Sequence, residues 1–276
     1  MTPAAPAGVA AVAVTEADDA RLADYRHLKE RDLSAQGGRF IAESERVVRR
    51  LLESGLPVRS VLLTPAHLRA LAPLLGGGAF PVFVAEQAVM DEIAGFHVHR
   101  GCLAVGERPA GARVPRAART IVVLEDLVDV DNLGATARSA AAFGADALVL
   151  SPRAADPFYR KAIRVGMGTV FRLPVVRLAV WPDDLLALKR DLALSLVGAV
   201  VDAGAVPLAR LPRPPRVALL LGAEGPGLSA AARAACDTLV TIPMAPGADS
   251  LNVATAGAIA LFHLQQAAPP ARPHDP

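Results

Sequence analysis

Over residues 21–107, short apolar runs alternate with segments whose apolar positions recur every three or four residues. Residues 40–43 read as a strand, and Val47, Val48, Leu51 and Leu52 then line one face of a helix that stops at Gly55. Residues 58–63 form the next strand pattern, and Pro65 opens a second helix. Two more strands, 81–85 and 102–105, enclose a helix over 87–94. The pattern predicts a small α/β domain of about four strands within residues 16–107. Periodicity is lost over 108–119, where Pro109, Gly111 and Pro115 mark an interdomain linker.

Alternation resumes beyond the linker. Strand patterns fall at 121–124, 147–150, 175–178, 194–201, 216–221 and 239–242, and helical patterns at 132–143, 181–190, 228–235 and 251–266. Strands separated by helices predict a mostly parallel sheet with helices on both faces, here over residues 120–267. Such sheets bind ligands beyond the carboxyl ends of their strands, so the loops after Leu124, Leu221 and Ile242 are where chemistry is expected.

Composition narrows the picture. A chain of 276 residues fits roughly two domains, and 53% hydrophobic residues with 20% charged exclude wholesale disorder. Aromatics are only 4%, which leaves few platforms for base stacking. The 29 basic residues nearly balance 27 acidic ones, yet only Lys29, Lys161 and Lys189 are lysines, so 26 are arginines suited to bidentate phosphate contacts. GC-rich codon usage would produce the same bias. Cys102 and Cys236 stand alone, without the spacing of a disulfide framework or zinc site, and a reducing cytoplasm is expected. His97 and His99 alternate at strand spacing but have no third ligand nearby, so no metal is expected. Residues 1–15 lack the basic start of a signal peptide and read as a flexible tail, as do the Pro-rich residues 268–276. No apolar run reaches the ~18 residues of a membrane span.

The first strand-end loop carries Glu125 and Asp126, then Asp131-Asn132-Leu133-Gly134. Asn132 is a good helix N-cap, and Arg138 follows six residues later in an Ala-rich helix. From spacing alone Arg138 is a functional cation, a solvated one, or the partner of Asp126 or Asp146. The second loop, Leu221-Gly222-Ala223-Glu224-Gly225-Pro226-Gly227-Leu228-Ser229, lets the backbone approach a ligand, while Glu224 disfavours a polyphosphate and favours a ribose or cationic ligand. An ordinary tight turn has the same composition. The third loop, residues 243–252, ends in Ser250-Leu251-Asn252; Asp249 or Ser250 can cap the last helix, and Asn252 brings an amide to its first turn. No GxGxxG follows the first strand of either domain, and no GxxxxGK or GxSxG is present.

Together, Asn132-Leu133-Gly134 with Arg138, Leu221-Gly222-Ala223-Glu224-Gly225-Pro226-Gly227-Leu228, Ile242-Pro243-Met244 and Ser250-Leu251-Asn252-Val253-Ala254 match in order and spacing. The chain from 120 to 266 resembles the SpoU branch of the SPOUT RNA methyltransferases, the TrmH-like enzymes. That resemblance implies a deep trefoil knot, a homodimer, and bound S-adenosylmethionine. It implies a cofactor pocket lined by Leu221, Gly222, Glu224, Gly225, Ile242, Met244, Ser250, Leu251, Asn252 and Ala254. Asn132 and Arg138 are the implied catalytic pair, with Glu224, Ser250 and Asn252 at the catalytic edge. The implied reaction is methyl transfer to a ribose 2′-hydroxyl. A base-nitrogen methyltransferase of the same fold and a non-catalytic RNA binder are the competing readings.

RNA contacts are expected from the basic stretch Arg153, Arg160, Lys161, Arg164, Arg172 and Arg177, which holds one acid, Asp156. Arg26, Lys29, Arg31 and Arg39 cluster near the start of the first domain, and Arg46 and Arg50 either join them or line the wet face of a helix. Through Phe40-Ile41-Ala42-Glu43 and His99-Arg100-Gly101 the first domain resembles the family's ribosomal-protein-like substrate-binding domain. It departs at Ser44, where the family pattern has glycine. An added domain of this kind favours rRNA over tRNA as substrate.

Overall fold

The structure, a computed structural model, describes residues 9–26, 38–95, 98 and 101–266. The first half runs β1 (Ala11–Val14), β2 (Arg39–Glu43), α1 (Glu45–Leu52), β3 (Val58–Leu63), α2 (Pro65–Leu75), β4 (Val82–Ala85), α3 (Gln87–Ala94) and β5 (Cys102–Glu107). The second begins β6 (Thr120–Leu124), α4 (Val130–Ala142), β7 (Ala147–Leu150), α5 (Arg160–Val165) and β8 (Val175–Arg177). It ends α6 (Asp183–Leu192), β9 (Ser195–Ala199), β10 (Val206–Pro207), β11 (Val217–Leu221), α7 (Ala230–Ala235), β12 (Thr238–Thr241) and α8 (Val253–Gln266).

Two compact units result: residues 1–111 with 158–172, and residues 112–157 with 173–276. In the first, five strands lie in the order β1-β4-β3-β5-β2, with β1 and β3 parallel to β4 and β5 antiparallel to β3 and β2. β1 corrects the expectation of a tail over residues 1–15: Ala11 to Val14 pair in register with Val82 to Ala85, and Val14 is buried. α1 forms as its pattern predicts. Val47, Val48 and Leu51 are fully buried, each worth about 1.5–3 kcal/mol relative to exposure, while Arg49 pairs with Glu45 one turn earlier at 3.0 Å.

Residues 158–172 follow β7 in sequence but pack with the first unit. The Phe158 and Phe171 rings each lie 5.2 Å from that of Phe40 on β2, and Arg160 donates to the Glu43 carboxylate at 2.5 Å. Arg50 of α1 donates to the Met167 carbonyl. No local periodicity marks α5 or these long-range contacts, and in sequence the segment lies beyond the linker.

The second unit holds seven strands in the order β10-β12-β9-β11-β6-β7-β8, every pairing parallel. Alternate residues split between its faces. Ile121, Val123, Ala218 and Leu220 form a core with Leu185 and Leu192 of α6 and Ala232 of α7. On the opposite face α8 lies so close that a Cβ at Gly257 would meet the Leu221 side chain at 2.7 Å. The carboxyl ends of β6 and β11 are level, Leu124 opposite Leu221, so their loops emerge side by side.

Candidate active site

The loop after β6 turns sharply at Asp126, whose φ is +51°. Its carboxylate accepts from Ser151 Oγ at 2.7 Å and from Arg153, and its N–H donates to Ser151 Oγ at 2.8 Å. Burial pushes the Asp126 pKa up, but the hydrogen bonds from Arg153 and Ser151 outweigh that and leave it below the ordinary value. α4 starts earlier than the sequence pattern indicates. Asp129, in place of Asn132, is its N-cap and accepts from the N–H groups of Asp131 and Asn132 at 2.9 and 2.8 Å. Relieved of capping, the Asn132 side chain faces the other two loops.

There it joins a chain of hydrogen bonds. Asn132 Nδ2 donates to Glu224 Oε1 in the Gly-rich loop, and Asn252 Nδ2 donates to Asn132 Oδ1 at 2.7 Å. Asn252 Oδ1 accepts from the N–H groups of Ala254 and Thr255 at 3.0 and 3.3 Å, so Asn252 caps α8, where the sequence offered Asp249 or Ser250. Three loops distant in sequence are thus bound through one carboxylate and two amides.

The Gly-rich loop requires its glycines. A Cβ on Gly222 would fall 2.2 Å from the Gly227 carbonyl carbon, which no shift of a flexible side chain could relieve. Gly225 and Gly227 have φ of +82° and +68°, and Gly227 N–H closes the turn onto Ala223 O at 3.0 Å. Beneath the loop lies a cavity of about 400 Å³. Leu221, Gly222, Glu224, Gly225, Ile242, Met244, Ser250, Leu251 and Asn252 all border it. Ala254 does not; it is buried in the first turn of α8. Sequence reasoning missed the apolar wall of Leu208, Val240, Ala256 and Ala260, and the rim residue Arg233, which donates to Asp202 at 2.6 Å. A strand, a short connection and the inner face of a helix supply that wall, and nothing but their folding brings them together.

Arg138 is exposed on α4 outside the cavity lining. Among the described residues it pairs with none: Asp126 is held by Arg153, and Asp146 accepts from the N–H groups of Arg119 and Thr120 at 2.7 and 2.9 Å. The basic residues divide. Arg153 is 82% exposed on the second unit, with its tip on Asp126. Arg177 is exposed, and its guanidinium donates to the carbonyls of Ser151, Pro152, Ala154 and Ala155 and holds that loop. Arg160, Lys161 and Arg164 lie on α5 in the first unit, where Arg160 and Arg164 flank buried Glu43 at 2.5 and 3.8 Å. Arg26 donates to the Asp19 carbonyl at 2.7 Å and Arg39 to Asp24 at 2.6 Å. Lys29, Arg31, His97 and His99 lie outside the described residues.

A family model described as the SpoU rRNA methylase family matches residues 119–262, more than half of the chain. The chain belongs to the SpoU methylase family. This SpoU chain is 41% identical over 270 residues to an uncharacterized tRNA/rRNA methyltransferase of Mycobacterium tuberculosis, covering 93% of this chain and 92% of that protein. It is 29% identical to the 23S rRNA (guanosine(2553)-2'-O)-methyltransferase RlmP of Bacillus subtilis, over 91% of this chain and 98% of that one. Among solved structures it resembles the AdoMet-bound rRNA methyltransferase from Sinorhizobium meliloti, with a TM-score of 0.81, 25% identity, and coverage of 93% and 98%.

Proposed function

We propose that this SpoU methylase transfers the methyl group of S-adenosylmethionine to a ribose 2′-hydroxyl of RNA, with rRNA favoured over tRNA. The observation that carries the reading is the hydrogen-bonded chain Glu224–Asn132–Asn252 at the edge of the Gly-rich cavity. Its residues fit the cofactor. About 400 Å³ lies within the size range of small-molecule sites, the walls Leu208, Leu221 and Val240 are apolar, and the carboxylate of Glu224 suits a ribose or a cation. When bound, S-adenosylmethionine supplies a methyl group already activated on a sulfonium, so the protein chiefly has to align the acceptor.

Each side chain then has a role. Gly222, Gly225 and Gly227 let the main chain approach the ligand, and Asn132 and Asn252 hold Glu224 and the three loops in register. Arg138, exposed and without a partner among the described residues, clamps the phosphate beside the target ribose and stabilises the developing alkoxide. A guanidinium is not a practical base, so the hydroxyl proton passes to that phosphate or to water. Arg153 on the second unit and the basic residues of α5 and of the first unit's opening, Arg26, Lys29, Arg31 and Arg39, supply phosphate contacts.

The same reading includes a knotted second unit and a cytoplasmic homodimer. Ile259 and Phe262, one turn apart on α8, are exposed apolar side chains at 39% and 51% that a second copy would cover. No described helix is long and apolar enough to cross a membrane. The test is transfer of labelled methyl to separated, unmodified ribosomal and transfer RNA, with linkages mapped by alkali resistance. Alkali-resistant label on rRNA, lost with Arg138→Ala while cofactor binding persists, is the expected outcome. Alkali-sensitive label, or full turnover by Arg138→Ala, would overturn the assignment.

A further inference from the structure

Glu125, the residue after β6, is only 3% exposed, a burial that acids rarely reach without partners. Its carboxylate accepts three hydrogen bonds: from Trp181 Nε1 and Ser229 Oγ, each at 2.6 Å, and from the Ser229 N–H at 2.8 Å. Its own N–H donates to the Leu221 carbonyl at 2.9 Å. Leu221 and Ser229 are the two stems of the Gly-rich loop, so one residue on a neighbouring strand end grips both. Ser229 is also the N-cap of α7, accepting from Ala232 N–H at 3.1 Å, and the grip therefore extends to the helix that follows. Glu125 does not line the cavity.

From these contacts we infer that Glu125 is a positioning residue that sets the span of the Gly-rich loop and so shapes the cofactor pocket before anything binds. The proposal rests on the function argued above. Three neutral donors converge on this carboxylate, and only an acceptor on both oxygens satisfies them. Glutamine has nearly the same shape, but its NH2 would face the N–H of either Ser229 or Trp181, so one donor loses its acceptor and the grip loosens without a cavity being created. Trp181, the sequence's only tryptophan, donates to the same oxygen as Ser229 Oγ and helps to hold the carboxylate in place.

Hydrogen exchange of residues 222–229 in the ligand-free protein tests the grip directly. Binding of S-adenosylmethionine, measured by calorimetry, tests its consequence. Glu125→Gln is expected to accelerate exchange in that loop and weaken cofactor binding about tenfold, with KM for RNA unchanged. Ser229→Ala keeps the main-chain donor and is expected to give a smaller change, about threefold, in the same direction. It decides the matter if Glu125→Gln does not fold. Unchanged exchange in either folded variant, or cofactor affinity within twofold of the parent in Glu125→Gln, would overturn the inference. A parent protein that binds no S-adenosylmethionine would sink the functional reading, while the exchange experiment would still judge the loop.

Discussion

Replacing Ser44 with glycine should make the first unit more stable. Ser44 joins β2 to α1 with φ +90° and ψ 149°, a region that glycine alone occupies easily and that costs about 1–3 kcal/mol for other residues. The strain secures two main-chain contacts: Ser44 N–H donates to the Cys102 carbonyl, and its own carbonyl accepts from Val48 N–H, both at 2.9 Å. Its hydroxyl gains nothing in return. The residue is 2% exposed, its side chain makes no capping bond, and Oγ has no hydrogen-bond partner. An orphaned buried hydroxyl costs roughly another 1–3 kcal/mol. Glycine removes both penalties and returns about 0.4–1 kcal/mol through its freer unfolded chain. A net gain of about 1–5 kcal/mol follows, or several degrees in Tm at about 2–4 °C per kcal/mol. Calorimetric unfolding of the full chain reads the shift, and hydrogen exchange in β2 and α1 assigns it to the first unit. Ser44→Ala removes the hydroxyl and keeps the strain, so it should recover only part of the gain. A lower Tm for Ser44→Gly, or equal gains from the two variants, would refute the argument.

Other perturbations separate binding from chemistry. Gly222→Ala forces a Cβ into the Gly227 backbone and should weaken S-adenosylmethionine binding at least about tenfold in calorimetry; parental affinity would mean the loop has room the structure denies it. Arg153→Ala should lower RNA affinity for all sequences alike and reduce the slope of log K against log salt by about one, while cofactor affinity stays as it was. Because Asp126 has a folded pKa below its unfolded value, its contribution to stability is complete above the unfolded value. That contribution is lost as pH falls through the folded one. Asp126→Asn should therefore flatten the dependence of Tm on pH below the ordinary carboxyl value of about 3.9, and an unchanged acid limb would reject the assignment.

Where periodicity is local, the sequence was legible: strand 58–63 and helix 87–94 coincide with β3 and α3, and the alternation beyond the linker yields the parallel sheet. The strand-end loops emerge where a parallel sheet requires them, and Asn132, Glu224 and Asn252 meet there. What stayed hidden depends on partners far along the chain. β1 is four small residues, Ala-Val-Ala-Val, in a Pro-rich start, and only β4 makes it a strand. α5 lies in a basic stretch whose apolar residues are too few to show a period, and it forms where Ala162 and Ile163 become buried. Asp129 and Asn132 both have capping side chains, and the backbone angles at 129 decide between them. The role of Glu125 could not be read at all, since Trp181 and Ser229 stand 56 and 104 residues away.

The excursion of residues 158–172 sets the order in which the chain can assemble as it leaves the ribosome. Phe40 emerges early, but the rings that cover it, Phe158 and Phe171, are synthesised only after β6, α4 and β7. Until then the first unit carries a bare aromatic surface, a state prone to aggregation and the concern of chaperones. A fragment ending at the linker would keep that surface bare for good, and one beginning at residue 112 would carry Phe158 and Phe171 with nothing to cover them. Neither half can be cut from the gene as a contiguous piece without leaving part of the other's core behind.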